Sequence, residues 1–529
     1  MQKRFLFIVW AFILAGTCAY CHTAGPCEVS LRRDSRFTGR GNCGEPLLEI
    51  TFSPSGGKAE LLAVEVRLDA SERNISRISL VENGMPSKGG WILFDKSDGK
   101  TAPGGRLAAG GRIVASVPVR DSRGIYVLKC RRTLEETAQL TLCADILPDA
   151  TEGGKVSASV VRIHFKGYEL TPSDPEGGPR EILLCRKLVF GPGDYGSHFY
   201  RIPAIRQLSD GTLLLVNDRR NVTEKDLPNY IDVVSRFSTD MGQTWSKPVF
   251  IARNTGYGQG YGDPALVEKE DGTVVCTFCG GEAYYSSSLK TPQRSFVSIS
   301  HDHGRSWSEP RDITASIWGP DADNPFCERY HSSFFTSGNS LLLTRGPYKG
   351  RILVANVTAM EGNVLCNHAV WSDDAGETWH VGDLAYGAPG APGDEAKMVQ
   401  LLDGRILMSI RHYGDRIWVI SEDGGQTWSK PGSWSELRAN NCNGDLIRYD
   451  ASLLLHTIPA SMKRENVSVF LSRDEGRTWP EHRMISNIAS MYSSITVLPD
   501  GTIGAYLEEQ CDNVELWYER FSLDWLLAK

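Results

Sequence analysis

The feature that most constrains the fold of this 529-residue chain is an eight-residue pattern that occurs five times. Each copy has a serine, an aspartate two positions later, a glycine two positions after that, and a closing tryptophan. The aspartate can accept hydrogen bonds from the N–H groups of a turn, the glycine can adopt a positive φ, and the tryptophan can pack between sheets. Catalysis needs one site, whereas these are needs of every repeated unit, so we expect all of these aspartates to be structural. The copies are STDMGQTW from Ser238, SHDHGRSW from Ser300, SDDAGETW from Ser372, SEDGGQTW from Ser421 and SRDEGRTW from Ser472.

A second pattern, independent of the first, predicts a ring of small sheets. Six segments combine a turn signal with an apolar strand, and successive segments begin roughly 50 to 70 residues apart, which suits four short strands per unit. The pattern therefore predicts a six-bladed β-propeller. Five boxes can serve six blades if the last blade closes the ring between EILLCRKLVF (residues 181–190) and VELWYERF (514–521). The six segments begin near Leu208, Lys269, Thr336, Leu401, Tyr449 and Leu498.

The region before residue 181 has a different pattern. TPSDPEGGPR (residues 171–180) is rich in proline, glycine and charge, which marks a domain boundary. Before it, apolar residues alternate along candidate strands, as they do in LAVEVRLD (62–69). We expect an all-β chain with a jelly-roll-like β-sandwich over residues 26–172 and the propeller over residues 181–529.

The N terminus and the charge bear on location and partners. Lys3 and Arg4 precede an apolar run over residues 5–15, which is typical of a secretory signal peptide over residues 1–21. No later apolar stretch approaches the length of a membrane-spanning helix, so we expect an exported protein, periplasmic, cell-surface or extracellular, without a transmembrane segment. A lipoprotein anchor on Cys18 is a weaker alternative, because no leucine stands three positions before it. The formal charge of −7, or −9 without the two basic residues, argues against nucleic acid and anionic membranes as partners.

The chain contains 13 cysteines, of which Cys18 and Cys21 lie in or beside the expected signal peptide. The remainder is an odd number, so at least one thiol is free or paired outside the chain. Cys130 and Cys143 lie on neighbouring strand candidates and are a possible disulfide. CTFC (residues 276–279) looks like half a zinc site, but residues three apart on a strand face opposite sides, so we expect buried structural thiols and no metal.

YRIPAI (residues 200–205), placed just ahead of the first turn-and-strand segment, carries a resemblance when it is combined with the five boxes. The region from about Leu183 to the C terminus resembles the exo-α-sialidases (neuraminidases) of the bacterial and animal family. In layout it is closest to secreted sialidases of the Bacteroidetes type, which have an N-terminal carbohydrate-binding domain. The resemblance implies hydrolysis of terminal α-linked sialic acid from glycoproteins, glycolipids and oligosaccharides, with retention of configuration and without a cofactor.

Three arginines are implied by the resemblance to grip the substrate. Sialic acid has a carboxylate on its anomeric carbon, and planar guanidinium groups bind carboxylates through paired hydrogen bonds. The matching residues are Arg201 in YRIP, Arg411 in MSIRHYG and Arg464 in SMKREN. Surface ion pairing is the alternative for each arginine taken alone.

The nucleophile and its base follow from the same substrate charge. An aspartate attacking a carbon next to a carboxylate would meet like-charge repulsion, and sialidases use a tyrosine instead. Tyrosine has an ordinary pKa near 10 and needs a base in hydrogen-bond contact. The resemblance implies Tyr492 in ASMYSSITV as the nucleophile and Glu395 in PGDEAKM as its base, although Ser494 stands where the family often has an acidic residue. A core tyrosine and a solvated loop glutamate are the alternatives.

The leaving-group oxygen needs a proton donor held apart from that pair. By resemblance this acid/base is Asp226 in DRRNVTEKDLPNYID, with Arg220 six residues earlier facing the O4 side of the sugar. Asp263 in GYGDPALV matches a second aspartate of the pocket, and as a residue before proline it could equally form a turn.

Two other functions stay open on the sequence. A trans-sialidase would share every catalytic residue and differ in its acceptor. A sialic-acid-binding lectin would keep the arginines without turnover, and the presence of Tyr492, Glu395 and Asp226 together argues against it.

Overall fold

The computed structural model describes residues 19–20, 27–82, 91–93, 106–108, 112–510 and 513–528. Most of the expected signal peptide, Cys18 included, lies outside these residues. The chain divides into two compact units. The first contains the described residues of Met1–Ser35, Gly41–Pro86 and Gly105–Glu181, and the second contains those of Arg36–Arg40, Ser87–Gly104 and Ile182–Lys529. No helix among the described residues has the length and apolar character needed to cross a bilayer.

The first unit is the β-sandwich that the alternating apolar pattern predicts. Val64, Val66 and Leu68 all have buried side chains, so one face of their strand turns toward the core. One sheet has the strand order Ala19–Tyr20, Cys27–Arg33, Glu45–Pro54, Ala138–Ile146, Ile75–Glu82 and Arg112–Pro118. The other has Ile125–Leu134, Ala59–Ala70 and Lys155–Phe165 in that order, and Tyr168–Leu170 pairs with the last of these. The remaining short strands before the propeller are Thr38–Gly39, Trp91–Leu93, Arg106–Ala108 and Arg180–Leu183.

The possible disulfide between Cys130 and Cys143 is wrong. Cys143 is buried in the first sheet and Cys130 lies in the second, and both thiols are free. The two strands are consecutive in the sequence, but the chain crosses from one sheet to the other between them. Sequence neighbours on a sandwich are therefore not always neighbours in a sheet.

The second unit is the predicted six-bladed β-propeller, and each blade is an antiparallel sheet of four main strands. Blade 1 contains Phe199–Gln207, Leu213–Arg220, Ile231–Ser238 and Val249–Ala252, and blade 2 contains Tyr261–Glu268, Val274–Gly281, Gln293–Ser300 and Arg311–Asp312. Blade 3 contains Tyr330–Phe335, Ile352–Met360, Val364–Ser372 and His380–Val381, and blade 4 contains Ala396–Gln400, Ile406–Ile410, Gly414–Ser421 and Gly432–Ala439. Blade 5 contains Asp445–Asp450, Leu453–Pro459, Val467–Ser472 and Glu481–Met484, and blade 6 contains Ser490–Val497, Ile503–Gln510, Val514–Phe521 and Cys185–Phe190.

Helices are few and short in the described residues. The α-helices are Thr314–Ile317 and Leu523–Leu527, and the 3-10 helices are Asp194–Gly196, Tyr284–Ser286, Pro325–Arg329 and Glu361–Asn363.

Blade 6 closes the ring with strands from both ends of the unit. Cys185–Phe190 pairs antiparallel with Val514–Phe521, as the sequence predicts. At this closure Arg186 is buried between two glutamates, with its Nε 2.8 Å from Glu519 and its Nη2 2.5 Å from Glu509. A buried cation hydrogen-bonded to two glutamate side chains ties the N-terminal strand of the propeller to two neighbouring strands of the same sheet.

The five aspartate boxes all begin at the last residue of a third strand, so they lie at one end of the propeller. In blade 2, Asp302 accepts hydrogen bonds from the backbone N–H and the hydroxyl of Ser306, and from the Ser300 hydroxyl. Burial raises the pKa of Asp302, but these hydrogen bonds more than offset it, so the pKa lies below its ordinary value. Gly304 has φ +82°, and a Cβ there would lie 2.6 Å from Leu214 of blade 1. The boxes are therefore turns that pack neighbouring blades together, as expected.

Blade 3 departs from the predicted pattern. The pattern predicts a turn followed by an apolar strand in TSGNSLLLT from Thr336, but only Gly338–Asn339 and Leu341–Leu342 are extended. Gly338–Asn339 pairs in parallel with the first strand of blade 2, and the longer apolar run Ile352–Met360 takes the second position of blade 3. Two apolar runs compete for one position, and the longer run buries more side chains.

Candidate active site

The topology of the blades brings the predicted site residues to one end of the propeller. A first strand begins, and a second strand ends, at the same end of an antiparallel blade, whereas a third strand ends opposite. Arg201, Asp263 and Tyr492 lie near the beginnings of first strands. Arg220 ends a second strand, and Arg411 directly follows one. The aspartate boxes, at the ends of third strands, lie at the other end.

The remaining predicted residues stand on segments that flank the same strand ends. Glu395 directly precedes the first strand of blade 4. Asp226 and Arg464 lie on the loops between the second and third strands of blades 1 and 5. All eight residues are therefore on the same end of the ring, as the resemblance implies.

Irregular pairing in the first strands of three blades changes the direction of these side chains. The strand pairing shifts between Arg201 and Ala204, between Gly262 and Ala265, and between Ser490 and Ser493. Such β-bulges bend a strand and redirect its side chains. Asp263 lies in one of them with φ +56°, so it belongs to a bulged strand and the alternative of a simple turn former does not hold.

Tyr492 and Glu395 form a buried pair at the centre of this end. The Tyr492 hydroxyl donates a hydrogen bond of 2.6 Å to Oε2 of Glu395. Tyr492 is 9% exposed and Glu395 is 2% exposed, so the glutamate is not a solvated loop residue. Burial raises the pKa of Tyr492 well above its ordinary value, and the nearby Arg411 guanidinium offsets only part of this. The hydroxyl therefore keeps its proton at rest and has a carboxylate placed to accept it.

The three predicted arginines surround the Tyr492 ring. The guanidinium carbons of Arg201, Arg464 and Arg411 lie 5.5, 5.9 and 6.0 Å from the ring centroid. Arg411 also donates a hydrogen bond of 2.8 Å to the Tyr492 hydroxyl and another to Glu395. Three guanidinium groups around one buried ring can together bind a carboxylate through paired hydrogen bonds.

Arg201 is held by a residue that the sequence analysis missed. The Glu508 carboxylate accepts hydrogen bonds from Nε (2.7 Å) and Nη2 (3.1 Å) of Arg201. Glu508 also accepts from the backbone N–H groups of Ile202 and Tyr492, and its side chain is fully buried. One buried carboxylate therefore fixes both the arginine and the strand that carries the tyrosine. A signal existed in IGAYLEEQ, because an acidic residue at the end of an apolar strand needs a cationic partner.

Arg411 and Arg464 share a second missed residue, Asn441. The Asn441 side-chain oxygen accepts from Nε of Arg411 at 2.8 Å, and its backbone carbonyl accepts from Nη2 of Arg464 at 3.0 Å. Asp394 lies 3.1 Å from Nε of Arg411 as well. These acceptors engage Nε of Arg411 and Nη2 of Arg464 and orient both guanidinium planes.

Arg220 and Asp226 form the opposite edge of the site. Nη2 of Arg220 lies 2.7 Å from Asp226, whose side chain is 84% exposed. Asp218, also missed, is buried and accepts from Nε (3.2 Å) and Nη2 (2.9 Å) of Arg220. Burial raises the pKa of Asp218 to about 6, even though Arg220 lowers it. At this edge, therefore, the exposed carboxyl group of Asp226 is paired with Arg220, which Asp218 holds in place.

Asp263 is joined to the same edge. Its backbone N–H donates to Asp218 at 3.0 Å, and the Cys279 thiol donates to its Oδ2 at 3.2 Å. Burial raises the pKa of Asp263 well above its ordinary value, and the Asp218 and Asp226 carboxylates add to the rise. Cys276 packs into the core on the other face of the strand, so the two cysteines of CTFC do face opposite sides. Within the described ranges, no group of three or more His, Cys, Asp or Glu side chains could hold a metal ion.

Comparisons with known proteins identify a family and relatives of this chain. Residues 227–505 match the BNR repeat-like domain family. A sialidase from Micromonospora viridifaciens is 30% identical over 420 residues, covering 75% of this chain and 61% of the relative. The chain spans about three fifths of the length of this sialidase and of a second curated relative, a sialidase from Bacteroides fragilis.

Solved structures share the fold. A Hadza microbial sialidase, Hz136, has a TM-score of 0.71 at 21% sequence identity. The matched region covers 94% of this chain and 100% of the Hz136 chain. A leech intramolecular trans-sialidase, solved with 2,7-anhydro-Neu5Ac, has a TM-score of 0.58 at 16% sequence identity. The matched region covers 88% of this chain and 94% of the leech chain.

Proposed function

Since this chain belongs to the BNR repeat-like domain family and is similar to curated sialidases, we propose that it is an exo-α-sialidase that removes terminal α-linked sialic acid from glycans. The observation that carries the proposal is the buried hydrogen bond from Tyr492 to Glu395, set inside a cluster of three arginines. A lectin would need the arginines alone. A buried tyrosine with a raised pKa and a carboxylate on its hydroxyl is an arrangement for nucleophilic attack.

Substrate binding in this proposal begins with the carboxylate of sialic acid. Glu508 engages Nε and Nη2 of Arg201, which leaves Nη1 for a ligand within the described contacts. Asn441 orients Arg411 through Nε and Arg464 through Nη2. Because the guanidinium groups are already oriented, little side-chain entropy is lost when the carboxylate binds.

The first chemical step breaks the glycosidic bond. The Tyr492 oxygen attacks the anomeric carbon while its proton passes to Glu395, and Asp226 donates a proton to the leaving oxygen. A tyrosine is neutral until the attack, so it avoids the repulsion that an aspartate would meet from the substrate carboxylate. Burial and the Glu395 carboxylate both raise the pKa of Tyr492, so little tyrosinate exists at rest. The attack therefore needs Glu395 to accept the proton as the new bond forms.

The second step releases the sugar. Asp226 takes a proton from a water molecule, the water oxygen attacks the anomeric carbon, and the bond to Tyr492 breaks as the proton on Glu395 returns to the phenol oxygen. Two inversions at one carbon give net retention. The 84% exposure of the Asp226 side chain supports this role, because both the leaving group and the incoming water must reach it.

Arg220 and Asp263 complete the proposed pocket. Arg220 is held by Asp218 and would face the O4 side of the sugar. Asp263, whose pKa burial raises well above its ordinary value, would share a hydrogen bond with a hydroxyl of the sugar. We extend the proposal to the whole chain as an exported enzyme whose β-sandwich binds carbohydrate and whose substrates are sialylated glycoproteins, gangliosides and oligosaccharides.

An intramolecular trans-sialidase is the second candidate, because a solved protein of that activity shares the fold. Its second step would use a hydroxyl of the bound sugar in place of water. The test is a product analysis: the purified full chain is incubated with 3′-sialyllactose, and the products are followed by proton NMR. Release of free sialic acid, first as the α anomer, supports the proposal. An anhydro sugar as the main product would favour the second candidate, and no lactose release would contradict both.

A further inference from the structure

The loop that carries Asp226 is joined to a second loop of the propeller. Residues 221–230 connect the second and third strands of blade 1, and residues 253–260 lead from blade 1 into blade 2. The backbone N–H of Gly258 donates to the Pro228 carbonyl at 2.7 Å. A Cβ on Gly260 would lie 2.3 Å from the Asn229 carbonyl oxygen, so the two loops touch backbone to backbone. The loops therefore form one surface beside Asp226.

Two tyrosines stand out from this surface. Tyr230 is 37% exposed and Tyr257 is 63% exposed, and their ring centroids lie 6.2 Å apart at an interplanar angle of 59°. Each ring comes from a different one of the joined loops. Exposed aromatic pairs on a rigid surface mark ligand contacts more often than isolated exposed side chains do.

The position of Asp226 identifies what could lie over these rings. Asp226 is held to Arg220 at 2.7 Å, and its backbone carbonyl accepts a hydrogen bond of 2.6 Å from the Asn229 side chain. In the proposed reaction Asp226 touches the oxygen that joins sialic acid to the next sugar. That next sugar must therefore leave the pocket over the loop that carries Asp226, where Tyr230 follows four residues later.

Resting on the proposed function, we propose that Tyr230 and Tyr257 form a subsite for the hexose attached to the sialic acid. A hexose presents a face of C–H groups that can stack on a tyrosine ring, and its hydroxyls can exchange hydrogen bonds with the phenol groups. The subsite binds the leaving portion of the substrate and has no role in gripping the sialyl carboxylate.

The test compares two substrates that share the sialyl group. 3′-Sialyllactose has a hexose at the leaving position, and α-sialosyl fluoride has only a fluorine atom. In the full chain, Tyr257→Ala should lower kcat/KM for 3′-sialyllactose about tenfold, because one aromatic contact is lost. The kcat/KM for α-sialosyl fluoride should not change, which also shows that the variant is folded. Tyr257→Phe keeps the ring and should retain most of the activity on 3′-sialyllactose.

A matched control is Tyr413→Ala, because Tyr413 is 64% exposed and follows Arg411 on the carboxylate side of the site. It should leave the ratio of the two kcat/KM values as in wild type. If Tyr257→Ala lost activity equally on both substrates, or left the ratio of the two kcat/KM values unchanged, the subsite would be overturned. Release of fluoride by the wild type would still support the proposed function. If the wild type released neither fluoride nor lactose, the proposed function would fail and the subsite with it.

Discussion

The hydroxyl of Tyr492 donates a 2.6 Å hydrogen bond to Glu395, and both side chains are almost completely buried. The two residues are 97 positions apart in the sequence and belong to different blades. Their contact exists because the beginnings of the first strands converge at one end of the ring. A tyrosine whose pKa is raised by burial cannot ionise by itself, so the pair makes sense as a unit in which the proton moves only when the oxygen attacks.

The aspartate boxes should matter for stability and not for turnover. Asp302→Ala removes an acceptor of several turn hydrogen bonds and should lower the free energy of unfolding by about 1–3 kcal/mol. Asp374→Ala changes the same position of another box and should behave alike, because Asp374 makes the same contacts to Ser372 and Thr378. Thermal unfolding and turnover per folded molecule are the measurements. A hundredfold loss of turnover with unchanged melting would contradict the structural role of the boxes.

Arg411→Lys should weaken both substrate and transition-state binding. A lysine cannot reach Asn441, Glu395 and the Tyr492 hydroxyl together, and it offers a single charged group to the substrate carboxylate. We expect kcat/KM to fall by a factor of about 100 to 10,000. Arg438→Lys is the matched control, because Arg438 makes an exposed ion pair with Asp415 and should be replaceable. Near-normal kinetics of Arg411→Lys would remove Arg411 from the carboxylate site.

Asn441→Ala should act through the arginines. The variant loses the side-chain acceptor for Arg411 but keeps the backbone carbonyl that accepts from Arg464. We expect KM to rise about tenfold or more with little change in melting temperature, and Asn441→Asp, which keeps the acceptor oxygen, should recover part of the loss. Steady-state kinetics would check this. A fall in kcat at unchanged KM would mean that Asn441 acts on the chemical step and not on orientation of the arginines.

The ring closure should make stability depend on pH. Burial raises the pKa of Glu519 to about 8, against an ordinary value of 4.5, even though Arg186 lowers it. Between these two values the folded chain holds a proton that the unfolded chain has lost, so stability falls as pH rises from 4.5 to about 8.

The variant Glu519→Gln removes this titration. Its melting temperature should fall less than that of the wild type between the two pH values, whereas Glu422→Gln, at an exposed position, should follow the wild type. Calorimetric scans at several pH values are the measurement. Parallel curves for Glu519→Gln and wild type would show that Glu519 does not hold the proton.

Much of the fold could be predicted because its signals are local. Each aspartate box is a turn with its own hydrogen bonds, and the strand that closes the ring is apolar and stands alone before the first blade. Blade 3 differs from the sequence pattern at Thr336, since two apolar runs compete there and only packing decides between them. Arg36–Arg40 belongs to the second unit, with Phe37 packed against Trp525 at 6.0 Å, and no local pattern indicates this.

Part of the candidate site can be predicted from the sequence, also because some of its signals are local. The residues found are those that stand in recognisable motifs, whereas Asp218, Asn441 and Glu508 act by holding arginines that other segments supply. Arg201 and Glu508 are 307 residues apart in the sequence, and their pairing follows only from closure of the ring. Residues that orient a functional side chain are chosen by tertiary geometry, so sequence alone identifies them only as unusually buried charges.

The central claim is that Tyr492 attacks the anomeric carbon. Tyr492→Phe removes the nucleophile and leaves the arginines and Asp226 in place, so the variant should bind a sialic-acid analogue while its turnover falls by several orders of magnitude.

The most direct measurement is to trap the covalent intermediate of the wild-type chain with 3-fluorosialosyl fluoride. The fluorine beside the reacting carbon slows both steps, and the good leaving group rescues only the first, so an adduct should accumulate. Peptide mass mapping should place the added sugar on Tyr492. An adduct on Glu395 or Asp226, or initial release of the inverted anomer from an ordinary sialoside, would contradict the tyrosine mechanism.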